Sequence, residues 1–391
     1  MAAPLASAQE MTVEVVRTVD GLYSLGPEWR SLQEAAGTLP FTSWEWNVSW
    51  WRHLSRQRLL SADHLFVLTM RRQGELVGVA PLMLTERPAR GPRFRSLRYF
   101  GTDQNITEVT GPLCERDQDA QFHQTLLDFV FEHRSEWDCF LLDGLRSDGE
   151  GPAIVARYAR PLWAQDVPDF VLTLPATWQS FKASRSRNIK ESLRKCVNSL
   201  KRDGLSPVFR VMSEPRETRQ ALDVFLRLHA ARAALRQTVV HDNVFVTPSA
   251  RSFLYDLAER CTAAGKIRIF SMEIDGRIVA IRIALVAGRS LYLYYSGYEP
   301  AYSKYGVMTH VVAQAIRYAI ENGFQTVNLS TGSDVSKTRW APTKTTFRRA
   351  VLGSQTHYAA HAAMLSTRVS EVWRSRSSRS LLFPWQRARP S

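Results

Sequence analysis

The residues best suited to chemistry lie in the stretch 291–306, LYLYYSGYEPAYSKYG, which runs straight into an amphipathic segment starting at Val307. The order reads as strand, short loop, glycine, helix. The first N–H groups of a helix have no partner within it, and the helix dipole there favours an anion. Gly306 lets a phosphate approach the backbone, Lys304 adds positive charge, and Ser303, Tyr305, Val307 and Met308 complete the loop. A glycine that only relieves a tight turn accounts for Gly306 equally well. Tyr292, Tyr294, Tyr295, Tyr298, Tyr302 and Tyr305 could line a cleft. Tyrosine also suits strands for packing reasons alone, and Tyr292 and Tyr294 are expected to be structural.

An internal repeat supplies the elements that position this loop. Residues 65–84, LFVLTMRRQGELVGVAPLML, and 267–286, IRIFSMEIDGRIVAIRIALV, each read as two apolar runs around a polar turn. Asp275-Gly276 between β-prone runs is a strong hairpin signal. Gly74, Leu76, Val77, Gly78 and Val79 match Gly276, Ile278, Val279, Ala280 and Ile281 at a constant offset of 202. In the first half, a helix expected around 118–134 precedes the strand-like 137–145. In the second, apolar spacing predicts a helix from Val307 to Asn322 before the strand-like 324–332, with Gly323 placed to end it. Helices are also expected over 182–202, 215–235 and 248–263. The pattern predicts an α/β (α+β) fold of two similar units, over 11–175 and 176–352. A flexible N-terminus (1–10) and a basic, mostly disordered tail (353–391) flank them. The first unit runs from LRYFG into TDQNITEVTGPLC with no glycine opening its helix, so a phosphate site is expected only in the second.

The chain has 391 residues and a net charge of +14. Eight basic residues against Glu191 lie in 182–202, and six arginines against Glu371 lie beyond 353. The rest is near neutral, unlike a folded nucleic-acid-binding face; a solvated basic helix is the expected reading of 182–202. The four cysteines show neither CxxC nor Cys/His metal spacing, so no metal and a reducing compartment are expected. The opening MAAPLASAQEM lacks a basic, apolar leader pattern, and no run reaches the ~18 apolar residues of a spanning helix, so a cytoplasmic location is expected. P-loop, GxSxG and HExxH motifs are absent. Trp44, Trp46, Trp50 and Trp51 spread around a helix and are expected in the core rather than on a sugar platform.

The strand–loop–glycine–helix–strand order resembles the GNAT acyltransferase fold, doubled as in Fem-type peptidyltransferases. Segments 28–54, GRIVAIRIALV and 295–340 are similar to the CelD-type, or cellulose-biosynthesis, acetyltransferase family, and the resemblance covers roughly 30–352. It implies two tandem GNAT-like domains, each a mixed, mostly antiparallel sheet flanked by helices. Ser303–Met308 correspond to the acyl-CoA pyrophosphate loop, with Tyr305 in place of proline. Asn328, Gly332, Asp334 and Ser336-Lys337 fall where relatives carry an acidic residue, a glycine and a Tyr-Lys pair.

The co-substrate so implied is acetyl-CoA or another acyl-CoA, with Tyr295, Ser296 and Gly297 holding its pantetheine arm. Asp334 is implied as base, with Glu299 as the alternative. Lys337, Trp340 and Tyr298 shape the acceptor site, and His229 and Arg232 face it. The expected activity is N- or O-acyl transfer, of the N-acetyltransferase type, to a sugar or amine acceptor in polysaccharide or cell-envelope synthesis. A Fem-like transferase using aminoacyl-tRNA and a non-catalytic module of a polysaccharide assembly are the competing readings. A small-molecule or saccharide acceptor is expected and a nucleic-acid partner is not; the basic tail is expected to make only weak membrane-surface contact.

Overall fold

The computed structural model describes residues 11–354 apart from 38, 59–60, 88–92, 103–104, 162 and 236–240. The expected flexible N-terminus and almost all of the basic tail lie outside the described residues.

The first half runs β1 (Thr12–Val16), α1 (Val19–Ser24), α2 (Gly26–Ala36), α3 (Trp44–Leu54), β2 (Gln57–Arg58), β3 (Ser61–Leu65) and β4 (Val67–Arg72). It continues with β5 (Glu75–Ala80), β6 (Leu82–Arg87), β7 (Phe94–Tyr99), β8 (Leu113–Cys114), α4 (Asp119–Glu132), β9 (Cys139–Arg146), α5 (Gly151–Tyr158) and β10 (Trp163–Thr173). The second half runs α6 (Trp178–Ser184), α7 (Arg187–Arg202), β11 (Pro207–Met212), α8 (Pro215–Ala233), α9 (Pro248–Ala263) and β12 (Ile267–Ile274). It ends with β13 (Arg277–Ala287), β14 (Ser290–Tyr298), α10 (Val307–Glu321), β15 (Thr326–Thr331), α11 (Val335–Thr338) and β16 (Thr343–Gly353). This is a mixed α/β architecture of mostly antiparallel sheets flanked by helices.

The repeat predicted from sequence is a structural repeat. Both hairpins form, β4–β5 around Gln73-Gly74 and β12–β13 around Asp275-Gly276. The match extends to their irregularities, since the ladder shifts register between Met70 and Arg71 and between the equivalent Met272 and Glu273. Each half then has one parallel pair, β7 with β9 and β14 with β15.

The two halves are interleaved at their ends. Strand β10 closes the first half, yet pairs with β15; strand β16 closes the second, yet pairs with β9; and β10 and β16 pair with each other. One sheet of order β11-β12-β13-β14-β15-β10-β16-β9-β7-β6-β3-β2 therefore crosses the molecule. A shorter sheet, β1-β4-β5-β8, covers the first half.

The expected single basic helix over 182–202 is two helices, α6 and α7, broken at Arg185-Ser186. Ser186 has an extended backbone and its side chain accepts from the Ile189 N–H, the N-cap geometry that starts a new helix. Ile189, Cys196 and Leu200 face the core of the second half, while Arg187, Arg194, Lys195, Lys201 and Arg202 are exposed. Trp44, Trp46 and Trp50 are buried and Trp51 stacks on Phe100, so the tryptophan-rich α3 is core, as expected. All four cysteines are free. Among the described residues, no helix is long and apolar enough to cross a membrane.

Candidate active site

Two bulges flank the point where β14 and β15 stop pairing. The parallel ladder holds only from Ser290↔Thr326 to Tyr292↔Asn328. Beyond it, β14 shifts register against β13 between Arg282 and Ala284. On the other wall β15 has two residues between Asn328 and Thr331 where β10 has one between Asp169 and Val171. Ser330 there has φ +77, outside the range an L-residue prefers, and its N–H donates to Asn328 Oδ1 at 2.6 Å. Bulges turn strands aside and recur beside active sites. Residues 293–298 and 329–334 thus no longer pair with each other, and the two parallel strands part in a wedge.

The loop read from sequence sits at the wide end of this wedge. From Tyr298 the chain makes a 3-10 turn over Pro300–Tyr305 and enters α10 through Gly306, whose φ of +66 and ψ of +32 are left-handed. A Cβ at Gly306 would meet nothing within 4 Å, so the turn demands glycine for its backbone and leaves open space in front of the helix start. Val307 and Met308 hold the first turn against the core. Tyr305 is buried, and its hydroxyl donates to Asp203 at 2.7 Å. Lys304 stands 3.8 Å from the same carboxylate, partly balancing its charge, and Ser303 is exposed with its carbonyl accepting from Gly306.

Helix α8 presses on β14 at Gly297, where a Cβ would lie 2.4 Å from the His229 backbone nitrogen. Next to this contact, His229 Nδ1 donates to the Ser296 carbonyl at 3.0 Å and Arg232 donates to Ser296 Oγ at 2.7 Å. Arg232 also donates to His241 Nε2 at 2.7 Å. Burial, and then the Arg232 charge, push the His241 pKa down to about 4, so its ring is a neutral acceptor. Burial likewise lowers His229. Tyr298 is buried beneath Arg232.

On the β15 side, Asp334 caps α11, accepting from the Ser336 N–H at 3.0 Å, and pairs with Lys337 at 3.2 Å. Burial acts to raise its pKa, but the Ser336 hydrogen bond and Lys337 outweigh it and hold the carboxyl below the usual aspartate range. Lys337 also donates to the Thr331 carbonyl.

Two of the expected site residues are placed elsewhere. Trp340 is 1% exposed and stacks on Phe181 in the core, so its ring has no surface to give an acceptor. Glu299, one residue past β14, is ion-paired to Arg227 on the outer face of α8 at 3.1 Å. Tyr292 and Tyr294 are fully packed, as expected, and Tyr295 is half-buried with its hydroxyl donating to the Asn105 carbonyl.

The structure adds residues that the sequence did not single out. Tyr99 and Leu113 lie 14 positions apart where their equivalents, Leu293 and Gly297, lie 4 apart. This longer loop of the first half crosses to the second. Glu108 accepts from the Tyr292 hydroxyl at 2.5 Å and from the Thr331 N–H at 3.4 Å. Its carboxylate therefore bridges the two strands just where they part. Asp169, on the exchanged strand β10, accepts from Asn328 Nδ2 at 2.7 Å and its Oδ1 is buried without a partner. Burial pushes its pKa up to about 6. Arg282, cross-strand from Ser296, completes the set.

The corresponding region of the first half is built differently. Gly111 and Gly144 bring the extra loop against β9, a Cβ on Gly144 lying 2.3 Å from the Thr110 carbonyl. The start of α4 carries Asp119, whose carboxylate accepts from the Glu150 N–H at 2.8 Å. A cavity of about 390 Å³ beside it is lined by acidic residues such as Asp117 and Asp119 and by Arg116, His123 and Arg146.

The site thus consists of a parallel strand pair that parts at a bulge and a glycine-led helix beside it. Residues 187–340, from α7 to Trp340, match the family model described as "Acetyltransferase (GNAT) domain". No curated protein matches the chain. Among solved structures, the chain is similar to the crystal structure of FemX, with a TM-score of 0.58 and 9% identity over 84% of this chain and 96% of that one. It is also similar to the C-terminal domain (DUF2156) of a putative lysylphosphatidylglycerol synthetase from Agrobacterium fabrum, with a TM-score of 0.50 and 12% identity over 88% and 96%. At such identities these are likenesses of fold. Taken with the domain match, they support the GNAT superfamily.

Proposed function

We propose that the second half is an acyl-CoA-dependent acyltransferase. The observation that carries this reading is the wedge between β14 and β15, closed at Tyr292 and Asn328 and opening toward the Gly306 start of α10. In this reading the pantetheine arm lies along residues 293–298, borrowing backbone groups that β15 no longer satisfies. The pyrophosphate sits before the first-turn N–H groups at Val307 and Met308. The first half has no glycine opening α4 and carries Asp119 in its first turn, which disfavours a phosphate there, so the acyl-CoA is assigned to the second half.

The acceptor is an amine or a sugar hydroxyl, as in the CelD-type resemblance, and the pathway is polysaccharide or envelope synthesis. Its nitrogen or oxygen attacks the thioester carbonyl carbon, the C–S bond breaks, and the thiolate of CoA leaves. Holding the two reactants together supplies much of the rate. The attacking atom must also lose a proton. Asp334 is poorly suited, because an ion-paired carboxylate of lowered pKa is a weak base. Glu108 stands where the strands part and is assigned the proton, while Asp334 orders α11 and Lys337.

The test is calorimetric titration of acetyl-CoA, longer acyl-CoAs and tRNA into the protein and a Gly306→Trp variant checked for folding. The expected result is acyl-CoA binding that the variant loses by at least about tenfold, as the indole fills the space a phosphate would take. Undiminished affinity in the variant would remove the assignment. Tight binding of tRNA alone would favour an aminoacyl-tRNA donor.

A further inference from the structure

Arg282 is a charged side chain without a bonding partner among the described residues. It is half-buried on β13, and its Nε is shut off from solvent without a partner. Among the described residues its guanidinium makes no hydrogen bond and no ion pair. Cross-strand partners share a face of a sheet, so Arg282 and Ser296 point the same way. Arg232 reaches that face from α8 to donate to Ser296 Oγ, and its own Nε is also buried and unpartnered. Arg232 thus binds Ser296 directly, and Arg282 stands beside it on the neighbouring strand, near enough to feel the Arg232 charge.

The nearby carboxylates do not answer them. Arg282 feels Glu108 and Asp334 electrostatically. Yet Glu108 is held by Tyr292 and the Thr331 N–H, and Asp334 by Ser336 and Lys337. A guanidinium N–H cut off from water and left without an acceptor is unfavourable. Burial, and then Arg232, depress the Arg282 pKa to about 10, the mark of a site short of negative charge. The cost is removed when a ligand brings an anion to the fork. With Glu108 and Asp334 so close, a singly charged planar carboxylate fits better than a phosphate dianion, and it matches guanidinium geometry.

We infer that Arg282 and Arg232 form a carboxylate-binding subsite beside the reacting thioester, so that one of the two substrates carries a carboxylate there. This rests on the acyltransferase reading above. The carboxylate belongs either to the acyl group, as in a dicarboxylic acyl-CoA, or to the acceptor, as in an amino acid or acidic sugar.

Three measurements test it. Calorimetry compares succinyl-CoA with acetyl-CoA, in the natural sequence and in Arg282→Gln and Arg282→Lys. A preference for succinyl-CoA of about tenfold or more, lost in Arg282→Gln and partly kept in Arg282→Lys, places the carboxylate on the acyl group. Without that preference, acetyl transfer to amino acids is compared with transfer to their amides; a tenfold preference for the acids that vanishes in Arg282→Gln places it on the acceptor. Equal treatment of acid and neutral forms in both comparisons overturns the inference. If no CoA ester binds at all, the acyltransferase reading has failed. The subsite is then judged by titrating free succinate against succinamide. Binding of succinate that Arg282→Gln abolishes upholds it, and no difference between the two overturns it.

Discussion

Gly297→Ala is the smallest change that should disturb the site, because α8 leaves no room for a methyl group on β14. The added Cβ would lie 2.4 Å from the His229 nitrogen and 2.5 Å from the Leu228 carbonyl carbon. Both are backbone atoms, so no side chain can rotate away, and α8 must retreat by about 1 Å to restore contact distance. Overpacking of this kind costs about 1–3 kcal/mol. The retreat also stretches the His229–Ser296 bond, worth about 1 kcal/mol. The expected loss is about 2–4 kcal/mol, measured as a shift in the urea midpoint at constant slope. Gly306→Ala is the control: its Cβ meets nothing, and only its φ of +66 is penalised, by about 1–2 kcal/mol. If Gly297→Ala unfolds within about 0.5 kcal/mol of the natural sequence, the range of ordinary surface changes, the tight α8–β14 contact is wrong.

Three further outcomes follow from the site. Glu108→Gln should lower acyl transfer by about 10²–10⁴ with acyl-CoA affinity retained, whereas Asp334→Asn should cost less; the reverse order in steady-state rates would return the proton to Asp334. Asp169 has a folded pKa near 6, above its unfolded value of about 3.9, so the native state holds its proton longer. Its contribution to stability is therefore full below about pH 4 and is lost as pH rises through 6. Asp169→Asn should flatten the fall in stability between pH 4 and 7 seen in urea unfolding, and an unchanged slope would contradict the burial argument. RNA binding through the exposed face of α7 should be weak and disappear by about 200 mM salt, because it depends on a few phosphate contacts; filter binding across a salt series checks this.

Local patterns carried much of the architecture. The hairpin turns announce themselves through Asp275-Gly276 and Gln73-Gly74, and the 307–321 helix through its apolar spacing and Gly306. Long-range pairing leaves no such mark. Nothing in residues 163–173 or 343–353 says that each will pair with the other half's sheet, so the exchange of β10 and β16 was not legible. Asp169 reaches the wedge only through that exchange, and Glu108 only through the long loop of the first half, so neither position carries a local sequence signal. Two further signals lie in the sequence itself. Ser186 is a helix N-cap inside the basic stretch 182–202. Arg282 interrupts the apolar run of β13 opposite Ser296, a charge in an otherwise apolar strand.

The central claim, that the β14–β15 wedge holds an acyl-CoA, is tested most directly by hydrogen exchange on the full chain with and without acetyl-CoA. The account predicts slowed exchange at 293–298, at the Gly306 start of α10 and at 329–334, with residues 113–120 and 144–151 of the first half unchanged. Protection confined to the first half, or none at saturating acetyl-CoA, would contradict it.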